Sequence, residues 1–419
     1  MHADNKRKRM CRNKCKVKKM ARRLRVANEA DSNEQIKEDY KEKIRRHKLS
    51  SVYRFLLVVA AVAVLLIIVY IQYQNHVYTS YDTVTTVALE ASEKSEMVQL
   101  GENVLIYSAD GARCVNSKGE VLWNQTFEMQ DILIATNEDV VAIADYNGHE
   151  IYVHDSTKKI CEISTTMPIR SIAVAGTGRV AATLADTKIT WIHVFEPDGT
   201  LEYESKASMG QSGYPSAMAM SPNGELLGVA YTYVDYGLVE TRIAFYNYGS
   251  VGSNKSDYKV NAYTYPDTIV PHFEFLNGDT AVAVGDDRLI IYKGNQKPAE
   301  QAQHYIEEEI QAVYQNNGYV GIVLRSDVLD MRHKLEVYNT KAEKEGAYYF
   351  NLDYDEVVFT ENYFMVYNGE NCLIQTYKGL TKFEGGFLNT MDIMYPMGKG
   401  TGYKFVMVSK DSIDTIQLK

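Results

Sequence analysis

The sequence predicts an all-β chain: a β-propeller of about eight four-stranded blades, closed by an N-terminal strand and preceded by one transmembrane α-helix. Three observations carry this reading. A nearly continuous apolar run of strand length recurs eight times at a mean spacing of 43 residues, which is the period of a four-stranded blade. From residue 84 onward, turns rich in Gly, Asn and Asp separate short apolar alternations, as hairpins require. Residues 55–71 form seventeen positions without a charge.

The net charge of -9 hides a sharp split. Residues 1–54 hold 19 Lys/Arg against 7 Asp/Glu, whereas 55–419 hold 26 against 47. Segments so opposed suit two compartments or two kinds of partner. An acidic domain repels phosphates, so no nucleic acid is expected at the propeller.

The first element is a tail over 1–51. Residues 6–25 contain twelve basic side chains and no acidic one. Residues 29–48 then mix charges at helical spacing, as in Glu38 and Glu42 with Arg46, so a juxtamembrane helix in an otherwise partly disordered tail is expected. The basic run serves as a topology signal, attracts anionic lipid, or contacts nucleic acid, although it lacks interleaved aromatics for stacking. Cys11 and Cys15 stand three residues apart with no second ligand pair, so no metal site is expected there.

The second element is the transmembrane helix, over 52–73. Thirteen of the seventeen residues in 55–71 are Leu, Ile, Val or Phe, which favours insertion by about 4–8 kcal/mol. Tyr53, Tyr70 and Tyr73 lie where an aromatic belt forms. The preceding basic region is far longer than that of a cleaved signal, and no A-x-A-like site follows. An uncleaved signal anchor fits, and the Lys/Arg excess places the N-terminus in the cytoplasm. The remainder is then extracytoplasmic, entered through a linker over 74–82.

The third element is the propeller, over 83–419. The buried runs fall at 104–107, 140–144, 180–184, 227–231, 281–284, 320–324, 363–367 and 405–408. The last repeat ends three strands in, and residues 83–89 (TVTTVAL) form an otherwise unassigned β-branched strand. That strand completes the last blade and removes the exposed edges. Eight blades is the count this gives, with seven as the alternative. Entry through the outermost strand puts the blade-to-blade loops on the face away from the membrane.

Two segments resemble known families. Residues 107–123 (YSADGARCVNSKGEVLW) resemble the repeat of PQQ-like quinoprotein propellers, and 221–230 (SPNGELLGVA) resemble the turn and strand of WD-repeat and TolB-like propellers. The layout also resembles single-pass membrane propeller proteins of Gram-positive bacteria. These resemblances imply architecture. No quinone is carried over, because adjacent cysteines are absent and only Trp123 and Trp191 exist; no cofactor is expected.

Three longer loops, at 206–215, 232–240 and 261–272, share the outward face and carry Tyr214, Tyr233, Asp235, Tyr236, Tyr263, Tyr265 and His272. Clustered Tyr suits recognition of a peptide, protein or envelope glycan, though Tyr is also an ordinary strand residue. No nucleophile elbow, zincin pair, P-loop or calcium loop is present; Asp353-Tyr354-Asp355-Glu356 lacks the required glycine. His149, His154, His193 and His333 read as surface or packed histidines. Cys114, Cys161 and Cys372 cannot all pair, although a Cys114–Cys161 bridge between neighbouring blades is compatible with their spacing. The expected function is a membrane-anchored binding or scaffolding module and no enzyme. The alternatives are an envelope enzyme with acids at the propeller channel, or a transmembrane sensor.

Overall fold

A computed structural model describes residues 3–185, 189–207, 212–235, 237–316, 318–398 and 402–419. The chain divides into two units, 1–76 and 77–419.

The first unit is one helix, Ala3–Gln74. It runs through residues 3–51 of the tail, where the sequence suggested partial disorder and a shorter juxtamembrane helix. Residues 1–74 contain neither Gly nor Pro, so nothing breaks the helix where the basic run meets the mixed-charge segment. Within its segment Val52–Gln74 an 18-residue stretch has a mean hydropathy of 3.0 and no buried residue. At 1.5 Å per residue the whole segment spans about 34 Å, enough to cross a hydrocarbon core.

The second unit is an eight-bladed propeller. Its thirty-two strands form eight four-stranded antiparallel sheets. Blades 1 to 7 cover residues 96–126, 132–164, 169–207, 214–266, 272–305, 310–350 and 356–386, and blade 8 begins at 393–418. Each of the eight apolar runs is the second strand of its blade. These strands are buried on both faces, which is why they read as continuous rather than alternating.

Blade 8 takes its fourth strand from the start of the unit. Tyr81–Ala88 pairs antiparallel with Ser412–Leu418, with Tyr81 opposite Leu418 and Ala88 opposite Ser412. Backbone bonds extend the seam, with Leu89 N–H donating to Asp411 at 2.7 Å and Lys419 N–H to Ser80 at 2.8 Å. The ring has no open edge between its last and first blades.

The buried apolar residues fall into eight clusters, one at each blade–blade interface. The last-to-first interface joins Val104 and Ile106 of blade 1 to Tyr395 and Val406 of blade 8. Two interfaces lock by the same device. The Phe273 ring of blade 5 occupies the space over Gly228 of blade 4, where an added Cβ would lie 2.1 Å from it. Phe359 of blade 7 sits likewise over Gly321 of blade 6, at 2.3 Å. Cys114, Cys161 and Cys372 are free and buried, so the compatible Cys114–Cys161 bridge is not formed.

First strands of neighbouring blades approach one another and line the axis. Strand alternation then defines two faces. One carries the second-to-third turns and the blade-to-blade connections. The other carries the first-to-second and third-to-fourth turns, and there Tyr81–Ala88 begins.

Candidate functional site

The face of the blade-to-blade connections carries an apolar crescent over blades 4 to 6. Its highest point is a hairpin in blade 4, made by the two ten-residue strands Leu226–Asp235 and Leu238–Asn247. Most other strands have four to seven residues, so this hairpin stands beyond its neighbours. Residues 226–235 (LLGVAYTYVD) continue β-branched and aromatic positions past the usual strand end. Gly237, at φ +87, takes the left-handed backbone at the turn. The expected loop over 232–240 is therefore mostly strand.

Val234 and Leu238 at this tip are 65% and 54% exposed. Ile269 in the connection to blade 5 and Tyr305 at the end of that blade are exposed on the same face. Val328, Leu329 and Met331 in the second-to-third connection of blade 6 complete the crescent, with Leu329 88% exposed. Acids flank these residues: Asp267, Asp286, Asp287, Glu307, Glu309, Asp327, Asp330 and Asp355 lie in the same connections. The cations nearby are largely engaged. Arg288 holds Asp287 through Nη2 at 2.7 Å, Arg332 holds Asp353 at 2.6 Å, and Lys334 bridges Glu308 and Glu336.

The Tyr residues expected here divide between surface and interior. Tyr214 is exposed at the head of its strand, opposite Thr232. Tyr233 is half-buried; its hydroxyl donates to Glu240, and the Arg242 guanidinium lies 5.0 Å from its ring centroid. The Glu240 carboxylate holds the Tyr233 hydroxyl above its ordinary pKa. Asp235 ends the strand opposite Leu238, but its side chain, like all of Tyr236, lies outside the described residues.

Tyr263 and Tyr265 are not in a loop. They lie on the strand Lys259–Pro266, and both turn into the interface between blades 4 and 5. Tyr265 is 4% exposed; its hydroxyl donates to Glu300 at 2.6 Å and accepts from Tyr292 at 2.6 Å. Burial raises its pKa well above the usual phenol range, helped by Glu300. Tyr263 packs on the Tyr292 ring at 5.4 Å and accepts from Asn261 Nδ2 at 2.7 Å. This pair braces two blades.

His272 begins the first strand of blade 5. Its Nε2 is closed off with no partner among the described residues. Burial pushes its pKa below the ordinary value, against an opposing contact from Gln315, so the ring is neutral at pH 7.

Of the expected residues, Tyr214 and Tyr233 belong to the exposed crescent, while Tyr263, Tyr265 and His272 lie inside the ring. The aliphatic tips were missed. Their signal was present in the sequence as large apolar side chains set between acids in a turn, as in 327–331 (DVLDM), where a solvated connection has no use for them. Among the described residues, no group of three or more His, Cys, Asp or Glu is placed to hold a metal ion.

BamB from Moraxella catarrhalis is similar at 11% identity with a TM-score of 0.45, over 81% of this chain and all of that one. The propeller domain of Cps50 (Swd1) from Myceliophteria thermophila is similar at 11% identity with a TM-score of 0.43, over the same shares. Likenesses at this identity speak to fold alone. No curated protein matches the sequence. The model of one family matches residues 74–418, nearly the whole propeller unit, and the chain belongs to that family, a family of unknown function (DUF5711).

Proposed function

We propose that this protein is a single-pass membrane-anchored binding module without catalytic activity. Its propeller stands outside the cytoplasm, as in the Gram-positive membrane propellers that its layout resembles, and captures a protein partner on the crescent of blades 4 to 6. The observation that carries this reading is the gathering of exposed aliphatic tips on one face, with acids around them. An apolar centre with a charged rim is how protein interfaces are built. The acids select a partner with a basic rim and disfavour anionic glycans and lipid surfaces. The opposite face differs: its outer turns carry exposed Lys118, Lys158, Lys255, Lys297, Lys341 and Lys378.

The experiment is site-specific photo-cross-linking of the full chain in its own cells, with the probe at Tyr214. Val234→Asp combined with Leu329→Asp is expected to reduce the cross-linked protein species about tenfold or more, since each aliphatic tip contributes about 1–2 kcal/mol. Val121→Asp with Leu201→Asp, on the other face, is expected to leave it unchanged. Equal loss from both pairs, or a cross-linked species that resists protease, would contradict the reading.

A further inference from the structure

The axis of the ring opens into a vestibule of about 1360 Å³ at the face of the first-to-second turns. Its walls come from the inner strands and turns of blades that are distant in sequence. Glu102 stands in the first turn of blade 1, Glu138 and Asp139 in that of blade 2, and Glu274 on the inner strand of blade 5. Ile172, Met218 and Val358 add apolar wall. Among the described residues no Lys, Arg or His lines it.

Two lining groups lack the partners that their surroundings call for. Tyr395 is 4% exposed, and its hydroxyl has no hydrogen-bond partner among the described residues. Glu274 has no ion pair among them, and its carboxylate accepts only from the N–H of Phe275, at 3.2 Å. Burial raises the Glu274 pKa to about 7, against that single bond. A half-buried carboxyl group that lines the recess and has no cation beside it gains most from a ligand that brings one. Four carboxyl groups around a recess also focus a negative potential into it.

We propose that the vestibule binds an organic cation, a primary ammonium or guanidinium group on a methylene stem, with Glu274 taking the charge and the apolar wall taking the stem. A metal ion fits less well, because no cluster of ligating side chains is formed among the described residues and much of the wall is apolar. A free polyamine and a Lys or Arg side chain of a neighbouring protein share this chemistry. The inference is independent of the crescent, which lies on the other face.

The test is calorimetric titration of the full chain in nanodiscs with spermidine in one arm and the peptide acetyl-Gly-Arg-Gly-Arg-amide in the other, at fixed ionic strength. Saturable binding of at least one probe is expected. Glu274→Gln, and separately Glu138→Gln with Asp139→Asn, should weaken it about tenfold or more. Spermidine alone binding identifies a free polyamine, and the peptide alone identifies a basic side chain. Glu274→Gln removes a desolvated charge, so its melting temperature should not fall, and a loss of binding is then not a loss of fold. Val234→Asp with Leu329→Asp should bind either probe as the parent does. Absence of saturable binding in both arms, or binding that the vestibule variants leave unchanged, would overturn the proposal.

Discussion

Phe359→Ala is expected to lower the unfolding free energy by about 3–5 kcal/mol, the usual cost of emptying a large aromatic site in a core. The Phe359 side chain is fully buried and crosses from blade 7 into blade 6, over Gly321 and beside Tyr319 at 6.1 Å. Gly321 has no side chain because the ring occupies that space. Gly321→Ala is therefore expected to destabilise as well, by overpacking of about 1–3 kcal/mol. Phe359→Leu in the Gly321→Ala background should recover part of that loss, because the two positions share one volume. Calorimetric melting of the parent, Gly321→Ala, Phe359→Leu and their combination gives the coupling. Additive losses, or a loss below about 1 kcal/mol for Phe359→Ala, would mean that this interface does not lock as described.

Thr85→Pro combined with Thr86→Pro should have an effect of similar size. The strand Tyr81–Ala88 is the outermost of blade 8, so only one of its edges is paired. Alternate N–H groups of such a strand face the neighbour, and of two adjacent residues one must therefore do so. Proline at both removes that donor whichever it is, and its ring disrupts the pairing around it. Seven Cα partners join this strand to Ser412–Leu418. If the strand detaches, several net contributions of about 0.5–1.5 kcal/mol are lost together, and the edge of blade 8 is exposed. The expected results are a destabilisation of about 3–5 kcal/mol and faster amide exchange in 412–418 than elsewhere in the ring. An unchanged melting temperature would show that the seam is not what holds the ring closed.

Much of the ring was legible in the sequence because a doubly buried strand has a signature that depends on no distant partner. Val140, Val141 and Ala142 are all buried, as are Val180 to Ala182, and unbroken apolar runs result. The closing strand was legible by arithmetic: the last repeat lacked one strand and 83–89 had no other place. Tyr263 and Tyr265 could not be placed in this way. They stand two apart on one strand face, and the groups that satisfy them, Tyr292, Pro298 and Glu300, belong to the next blade. A loop Tyr and a Tyr bracing two blades look alike until that blade is in position. The vestibule is less legible still, since Glu102, Glu138 and Glu274 meet around one space only when the ring closes.

The proposed topology, in which one apolar helix holds an acidic ring outside the cell, can be tested through the cysteines. Cys114, Cys161 and Cys372 are 0%, 8% and 1% exposed, with the Cys114 thiol pushed up to about 12 by burial, so they are inert to thiol reagents. Leu388, in the connection before blade 8, is 94% exposed. Intact cells carrying either the parent chain or Leu388→Cys are treated with a membrane-impermeant maleimide. Label is expected on Leu388→Cys and none on the parent until the membrane is opened, when Cys11 and Cys15 react. Label on the parent in intact cells, with no further label gained by Leu388→Cys, would contradict this topology.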